Sequence, residues 1–120
     1  MEERLDRIRA AVRGARLMFG TEAELQEGLA RVLAAAGVDH RREVPLSKRD
    51  RIDFLLPEGI GIEVKIEGAL SALTRQLWRY AEHEEVVALV LVTSQLRLTA
   101  LPKVLNGKAI ICLPVSRAFA

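Results

Sequence analysis

The sequence predicts an α/β domain with a central mixed sheet flanked by helices. In several segments apolar residues recur every three or four positions, as on helices that pack against a core. Other segments are short runs of Ile, Val and Leu, which are typical of strands. The two kinds of segment follow the order α-α-β-β-β-α-β-α-β, and 120 residues are enough for one modest core. We therefore expect residues 1–120 to form a single domain.

Two helices are expected ahead of the first strand. The first covers residues 3–18, and its five arginines could hold phosphates, pair with nearby acids or face solvent. The second begins at Thr21, because Thr21 and Glu24 have the spacing of a capping box, and Gly37 is suited to end it. The apolar stripes are Leu5, Ile8, Val12, Ala15 and Met18 in the first helix and Leu25, Leu29, Val32, Leu33 and Ala36 in the second.

A hairpin of two strands has the strongest pattern in the chain. Its arms, residues 51–56 and 60–66, are rich in Ile, Val, Leu and Phe, and a Pro-Glu-Gly turn separates them. Because side chains alternate along a strand, Asp53, Glu63 and Lys65 are expected together on one face. The other face would carry the even-numbered apolar residues Ile52, Phe54, Leu56, Ile60, Ile62, Val64 and Ile66.

Shorter segments complete the expected fold. Residues 42–46 are typical of a short strand, and their proline places it at an edge or a bulge. A third helix is expected over residues 69–84, while residues 86–93 are almost continuously apolar, as in a strand buried on both faces. A short helix at 98–105, an Asn-Gly turn and a last strand at 109–113 follow. The third helix would turn inward Leu70, Leu73, Leu77 and Ala81.

The composition narrows the possible functions. A single cysteine, Cys112, excludes an internal disulfide, and no Cys/His cluster offers a zinc or iron–sulfur site. No stretch is apolar for long enough to span a membrane, and the acidic start differs from a secretory signal, so we expect a cytoplasmic protein without a membrane partner. Fourteen Arg against four Lys suit the binding of phosphate, although genomic base composition also explains this bias.

Two carboxylates and an ammonium group lie on the polar face of the hairpin. If that face were only solvated, Glu63 and Lys65 would form a salt bridge, but nearby odd positions hold Leu55 and Gly61, so the face is not generally polar. Mg²⁺ takes one or two carboxylates together with water and substrate phosphate, and such a metal supplies hydroxide near neutral pH. A neighbouring lysine can orient the attacking water. Asp53, Glu63 and Lys65 therefore indicate a metal-dependent phosphodiesterase.

The hairpin also carries a family motif. Asp53, nine further residues and then Glu63-Val64-Lys65 resemble the signature of the PD-(D/E)XK nuclease superfamily, in which these three charged positions form the active site. Ile52 stands where the proline of the name would be, and the superfamily often lacks that proline. The resemblance implies a Mg²⁺- or Mn²⁺-dependent deoxyribonuclease.

A second motif and the order of elements extend the resemblance. Gln76 and Tyr80 follow the hairpin on the third helix and are similar to the Q-x-x-x-Y motif of RecB-like nucleases, although a surface Gln and a core Tyr would give the same spacing. Residues 21–93 match the restriction-endonuclease-like αβββαβ core of the superfamily. The Arg-rich helix in residues 1–19 and the helix and strand in 94–120 lie outside that core.

The resemblance further implies an acidic residue on the helix before the sheet. Glu22 lies three residues before Leu25 and so faces the core, where a carboxylate needs a partner. Glu24 is explained as the capping partner, and Glu27 falls on the outer side. We choose Glu22, with a favourable interaction with the helix dipole as the alternative explanation for it.

The resemblance assigns roles to the residues of the motifs. The expected catalytic residues are Asp53, Glu63, Lys65, Glu22, Gln76 and Tyr80. The expected metal ligands are Asp53, Glu63, the backbone carbonyl of Val64, and Glu22, directly or through water.

Basic residues flank this expected site and would contact phosphates without sequence preference. Trp78 lies one residue off the apolar stripe of its helix, so we expect it at the edge of the core, with stacking on a base as the alternative. No role is assigned to His40 or His83. The expected DNA-binding residues are Lys48, Arg49, Arg51, Arg75 and Arg79.

The expected partner is DNA in single-stranded, end or branched form, during repair, recombination or the processing of phage or mobile-element DNA. A domain of this size has little surface for a long substrate, so we expect a homodimer or a larger complex. Three alternatives stay open: a homodimer that resembles Holliday-junction resolvases, a nucleic-acid-binding module that keeps the fold without turnover, and an unrelated interaction domain with a salt-bridged hairpin.

Overall fold

A six-stranded mixed sheet with helices on both faces forms the part of the chain that the computed structural model describes, residues 1–118. The helices are α1 (Glu2–Gly14), α2 (Glu22–Ala35) and α3 (Leu70–Ala81), and a 3₁₀ turn covers Leu96–Thr99. The strands are β1 (Arg41–Pro45), β2 (Arg51–Leu55), β3 (Ile60–Val64), β4 (Ala88–Thr93), β5 (Val104–Leu105) and β6 (Lys108–Pro114).

The strands lie in the order β1-β2-β3-β4-β6-β5. The first three are antiparallel neighbours, β3, β4 and β6 run parallel to one another, and β5 pairs antiparallel with β6. All residues of β3 and β4 are buried, as expected for strands covered on both faces. The prediction of a mixed sheet between helices is confirmed, and Pro45 lies in the edge strand β1, where no further strand needs its missing N–H.

Two apolar clusters hold the helices to the sheet. On one face, α1 and α2 bury Leu25, Leu29 and Leu33 against β3 and β4. On the other face, α3 and the 3₁₀ turn bury Leu73 and Leu77. Each of these leucines contributes about 1.5–3 kcal/mol of hydrophobic stabilisation. The inward-facing stripes that the sequence predicts for α2 and α3 agree with these clusters.

Side-chain capping fixes the start of α2. The Thr21 hydroxyl accepts a hydrogen bond from the Glu24 N–H at 3.1 Å, and the Glu24 carboxylate accepts one from the Thr21 N–H at 3.0 Å, which confirms the capping box. At the other end Gly37 has a φ of +70°, and the Val38 N–H donates to the Leu33 carbonyl at 2.8 Å. Both boundaries follow from local sequence.

The first helix is shorter than the pattern predicts. It ends at Gly14, and Ala15 is extended, with φ −92° and ψ 148°. Beyond that point alternate residues are buried, so Leu17 and Phe19 pack into the core while Met18 is 55% exposed. The expected inward position of Met18 is wrong, because the chain has left the helix before reaching it.

The expected helix at residues 98–105 is also wrong. The chain forms only the 3₁₀ turn there, and then β5 pairs with β6. Asn106 and Gly107 have φ values of +50° and +78°, the conformation of a two-residue hairpin turn. The third helix ends at Ala81 instead of residue 84, and a turn follows it.

The alternation expected along the central hairpin fails at one position. Phe54 packs with the α1–α2 cluster, but Ile52 packs on the α3 side together with its β1 partner Val44. Glu43 lies opposite Asp53 in this register and has a φ of +51°, in the left-handed region that a non-glycine residue rarely adopts. The side chains of β1 and β2 therefore change faces at the same point.

Gly59 allows the tip of the hairpin to lie against the segment just before β4, and its replacement tests this contact. Gly59→Ala should destabilise the protein by about 3 kcal/mol, because φ is +93° and a Cβ would lie 2.6 Å from Val87 Cγ2 and 2.9 Å from the Glu85 carbonyl oxygen. Urea denaturation provides the measurement. Gly107→Ala is the matched control, since its φ is +78° but a Cβ meets nothing within 4 Å, and it should cost only about 1 kcal/mol. Equal losses in the two variants would contradict the close approach.

Candidate functional site

Asp53 and Glu63 lie where β2 and β3 separate. The last paired residues of these strands toward the site are Phe54 and Ile62. Beyond these residues, side-chain hydrogen bonds replace the backbone hydrogen bonds between the two strands. Asp53 Oδ2 accepts a hydrogen bond from the Val64 N–H at 2.8 Å, and Glu63 Oε1 accepts one from the Asp53 N–H at 3.2 Å. The separation of the strands thus makes room for two carboxylates inside the sheet.

Both carboxyl groups are in an environment that disfavours their charge. Burial, together with the charges of Glu43 and Glu22, raises the pKa of Asp53 to about 6, although the hydrogen bond from the Val64 N–H works in the opposite direction. Burial and the charge of Asp53 raise the pKa of Glu63 well above its usual range, against the opposing charge of Lys65. Burial and the repulsion between the two carboxylates thus both oppose ionisation of the pair.

A salt-bridged and solvated hairpin face does not fit this geometry. Glu63 is only 4% exposed, and its oxygens accept hydrogen bonds from the Asp53 N–H and from the Tyr80 hydroxyl. Within residues 1–118, Lys65 forms no ion pair with Glu63, although its positive charge works to lower the pKa of Glu63. Instead, the Lys65 side chain lines a groove.

The donor set fits a hard divalent cation. Mg²⁺ typically uses one or two carboxylates and completes its shell with waters and substrate phosphate. Asp53 and Glu63 supply two carboxyl groups that lie close together, since Glu63 accepts from the Asp53 N–H and Asp53 accepts from the N–H of the adjacent Val64. No group of three acidic, His or Cys side chains in residues 1–118 converges as a ready-made metal site. A cation here would therefore rely on water and phosphate for its other ligands.

The three acidic residues at the start of α2 have different surroundings. Glu22 Oε1 accepts a hydrogen bond from the Ile66 N–H at 2.9 Å, at the end of the second hairpin arm, and its charge acts on Asp53. Glu24 is the exposed capping partner, and Glu27 is exposed and bonded to Arg42 at 2.8 Å. The position of each residue on the helix therefore correctly indicated that Glu22, and not Glu24 or Glu27, faces the hairpin. The role of Glu22 at a metal stays a prediction.

Tyr80 connects α3 to both strands of the site. Its hydroxyl lies 2.7 Å from the Arg51 carbonyl oxygen and 3.3 Å from Glu63 Oε2. Burial and the nearby carboxylate charges raise its pKa, so the hydroxyl keeps its proton. One proton serves two acceptors, and the shorter distance favours the Arg51 carbonyl. Gln76, one turn earlier, lines the groove together with Lys65. The structure thus brings both residues of the Q-x-x-x-Y motif to the hairpin.

The groove that Lys65 lines has a volume of about 320 Å³ and carries several cations, but Asp53 and Glu63 are not among its lining residues. Exposed Lys48, Arg49 and Arg51 lie in or next to the loop that leads into β2. Together with the arginines of α3, they place positive charge along this side of the molecule. The residues that line the groove are Lys65, Glu67, Gly68, Ala69, Ala72, Leu73, Arg75, Gln76 and Arg79.

Asp50 and His83 belong to this region, although no sequence motif indicated a role for them. Asp50 is 6% exposed, with Arg79 Nε 3.1 Å from Oδ1 and His83 Nε2 3.3 Å from Oδ2. Burial works to raise the pKa of Asp50, but the hydrogen bonds and charges of His83 and Arg79 outweigh it and hold the pKa below its usual value. Arg79, expected to bind DNA, thus also anchors the basic loop. In the sequence, the only indication of this arrangement was that one acidic residue, Asp50, stands within a basic loop.

Glu43 is a third residue at the site that no sequence motif indicated. It lies on the edge strand opposite Asp53, and its charge helps to raise the pKa of Asp53. Only the register of β1 against β2 shows this proximity, which a motif search along the chain cannot detect.

Trp78 lies at the surface, so the expectation of burial at the edge of the core is wrong. The side chain is 47% exposed. Leu77 and Ala81 fill the core-facing positions of α3, and the 100° step per residue turns Trp78 away from the sheet.

Comparison with known protein families, with curated proteins and with solved structures found no match for this chain.

None of the helices in residues 1–118 is long and apolar enough to cross a membrane.

Removal of the Asp53 charge should stabilise the metal-free protein. A carboxyl whose pKa is raised by folding stabilises the fold at pH values below its unfolded pKa, and this contribution is lost as pH rises through about 6. At pH 8, Asp53→Asn should therefore increase the free energy of unfolding by up to about 3 kcal/mol, with little gain at pH 4. Thermal and urea unfolding in a chelator measure the change. Exposed Asp39→Asn is the matched control, and an equal gain in the two variants would contradict the strained carboxylate pair.

Proposed function

We propose that the protein is a Mg²⁺- or Mn²⁺-dependent nuclease of the PD-(D/E)XK superfamily that hydrolyses phosphodiester bonds in DNA. The observation that carries the proposal is the pair of a partly buried Asp53 and a buried Glu63, which lies where β2 and β3 separate and close to Lys65 in sequence. A fold tolerates two uncompensated carboxylates in such a place when function requires them. Lys65 also lines an open groove together with Arg75 and Arg79, and this groove would hold an anionic substrate next to the pair.

The order and pairing of elements support the restriction-endonuclease-like part of the proposal. The segment from α2 to β4 runs α-β-β-β-α-β, with three antiparallel strands followed by a parallel one across α3. The motif residues fall at the positions that the resemblance implies, on β2, on or just after β3, and on α3. Agreement between the motif and the topology carries more weight than the motif alone.

The proposed roles follow from placement. Asp53, Glu63 and the Val64 carbonyl would hold the metal, and Glu22 would join them directly or through water. Bound Mg²⁺ or Mn²⁺ supplies a Lewis acid for the phosphoryl oxygen and lowers the pKa of a coordinated water. Lys65 would orient the attacking water and balance the charge that develops on the phosphoryl group.

Residues of α3 would support the site and the substrate. The Tyr80 hydroxyl contacts both the Arg51 carbonyl oxygen and Glu63 Oε2, and so would support the separation of β2 from β3 at the carboxylate pair. Gln76 and Arg75 line the groove and would contact the DNA strand. Since one domain covers little of a long substrate, we propose that the active form is a homodimer or part of a larger complex.

Cleavage of DNA by purified protein tests the proposal. Activity should require Mg²⁺ or Mn²⁺ and disappear in a chelator. Lys65→Ala should lower the rate by about 10²–10³-fold, the usual cost of one group that stabilises a transition state, and Asp53→Ala should lower it at least as much. Lys103→Ala, which removes an exposed lysine outside the groove, should leave the rate unchanged.

Two results would contradict a nuclease. Activity that survives Lys65→Ala and Asp53→Ala would point to a contaminating enzyme. DNA binding without metal binding and without cleavage would identify a module that keeps the fold but not the chemistry.

Substrate choice separates two forms of the nuclease proposal. We expect faster cleavage of single-stranded DNA or of duplex ends than of a four-way junction with the same sequence, because the Q-x-x-x-Y motif favours the RecB-like branch. Turnover on matched substrates measures the preference, with Lys65→Ala protein as the background control. Faster cleavage of the junction by a dimer would instead support an enzyme like the Holliday-junction resolvases.

A further inference from the structure

Trp78 lines a shallow slot on the outer side of α3, next to the groove that Lys65 lines. The slot has a volume of about 400 Å³, within the range of roughly 300–1,000 Å³ that is typical of ligand sites. Although arginines form most of its border, the surface that faces the slot is mainly carbon. Arginine stems and the indole thus form an apolar floor, with charged groups at the rim. The lining residues are Arg49, Thr74, Arg75, Trp78 and Arg79.

The charge around the indole is of one sign. Arg79 is paired with Asp50, but the side chains of Arg49 and Arg75 make no ion pair or hydrogen bond within residues 1–118. An exposed tryptophan between uncompensated guanidinium groups suits a ligand with a flat aromatic face and negative charge at its edges. If an apolar surface of another protein covered the slot instead, Arg49 and Arg75 would be buried without partners for their charges.

We propose that this slot binds an unpaired nucleotide of single-stranded DNA, with its base stacked on Trp78 and its flanking phosphates on Arg49 and Arg75. Stacking on a side chain requires an open base face, which duplex DNA does not offer, and aromatic platforms beside basic grooves are the general mode of single-strand binding. This inference rests on the proposed function and specifies its substrate as single-stranded DNA.

The slot and the groove that Lys65 lines share two lining residues, Arg75 and Arg79. A strand whose base rests on Trp78 therefore passes its phosphates along α3 toward Gln76 and Lys65. The buried Asp50 fixes the relation between slot and groove, because it holds Arg79 and the loop that carries Arg49. Stacking would thus position the strand for cleavage at the metal site.

The chain contains its own reporter for this contact. Trp78 is the only tryptophan, so indole fluorescence reports on the slot alone. The experiment titrates Asp53→Asn protein in a chelator, which prevents cleavage, with a short thymidine oligonucleotide. We expect fluorescence quenching with the single strand and much less with a duplex of equal length. Binding without quenching would overturn the proposal.

Variants separate stacking from charge. Trp78→Ala should weaken binding roughly 5- to 100-fold, as expected for the loss of one stacked base, while Trp78→Phe should recover most of the affinity. The dependence of log Kd on log salt should stay the same in Trp78→Ala but decrease by about 0.7 in Arg49→Gln. Met18→Ala, at an exposed apolar position on the other side of the sheet, and exposed Arg13→Gln are the matched controls.

Two further outcomes are decisive. If Trp78→Ala binds the oligonucleotide as tightly as the parent protein, the slot is not a base platform. If Trp78→Ala instead converts a dimer to a monomer in sedimentation, a second copy of the chain covers the slot and the proposal fails. Because the titration needs neither metal nor turnover, quenching together with a failed cleavage assay would reject the nuclease and keep the nucleotide site.

Discussion

The separation of β2 from β3 at Asp53 is the constraint on which the rest of the site depends. Two carboxylates take over hydrogen bonds that the strands would otherwise make to each other, and burial opposes the charge of both. Such a pair is unfavourable by itself. It persists because apolar clusters on both faces of the sheet fix the strands around it. The apolar clusters thus stabilise the fold, and the carboxylate pair opposes this stabilisation within the same hairpin.

Helices on opposite faces of the sheet deliver side chains to the same strand end. The capping box fixes the first turn of α2, and Glu22 in that turn reaches the Ile66 N–H. On the other face the buried Tyr80 contacts Glu63 and the start of β2. Neither contact is local, since 44 residues separate Glu22 from Ile66 and 29 separate Tyr80 from Arg51. The site is therefore complete only when both layers have packed.

Most of the elements could be predicted because their signals are local. Periodicity located α2, α3 and the buried strand β4, and it separated Glu22 from the other acids of its helix. The failures arose where a neighbouring segment decides the outcome. Ile52 changes faces because β1 bends beside it. Asp50 gains its partners only when α3 packs against the sheet. The strand β5 forms only because it pairs with β6. Trp78 was misplaced because a one-residue offset from an apolar stripe does not decide between burial and exposure.

The two edges of the sheet differ from its centre in a way that bears on self-association. An exposed edge strand invites another chain to add to the sheet, and short strands, bends and prolines prevent this. Here β1 combines a left-handed Glu43 with a terminal Pro45, and β5 is only two residues long. Edge-to-edge addition is therefore disfavoured on both sides, which guards the chain against amyloid-like aggregation. Any symmetric dimer would have to form through helices or loops.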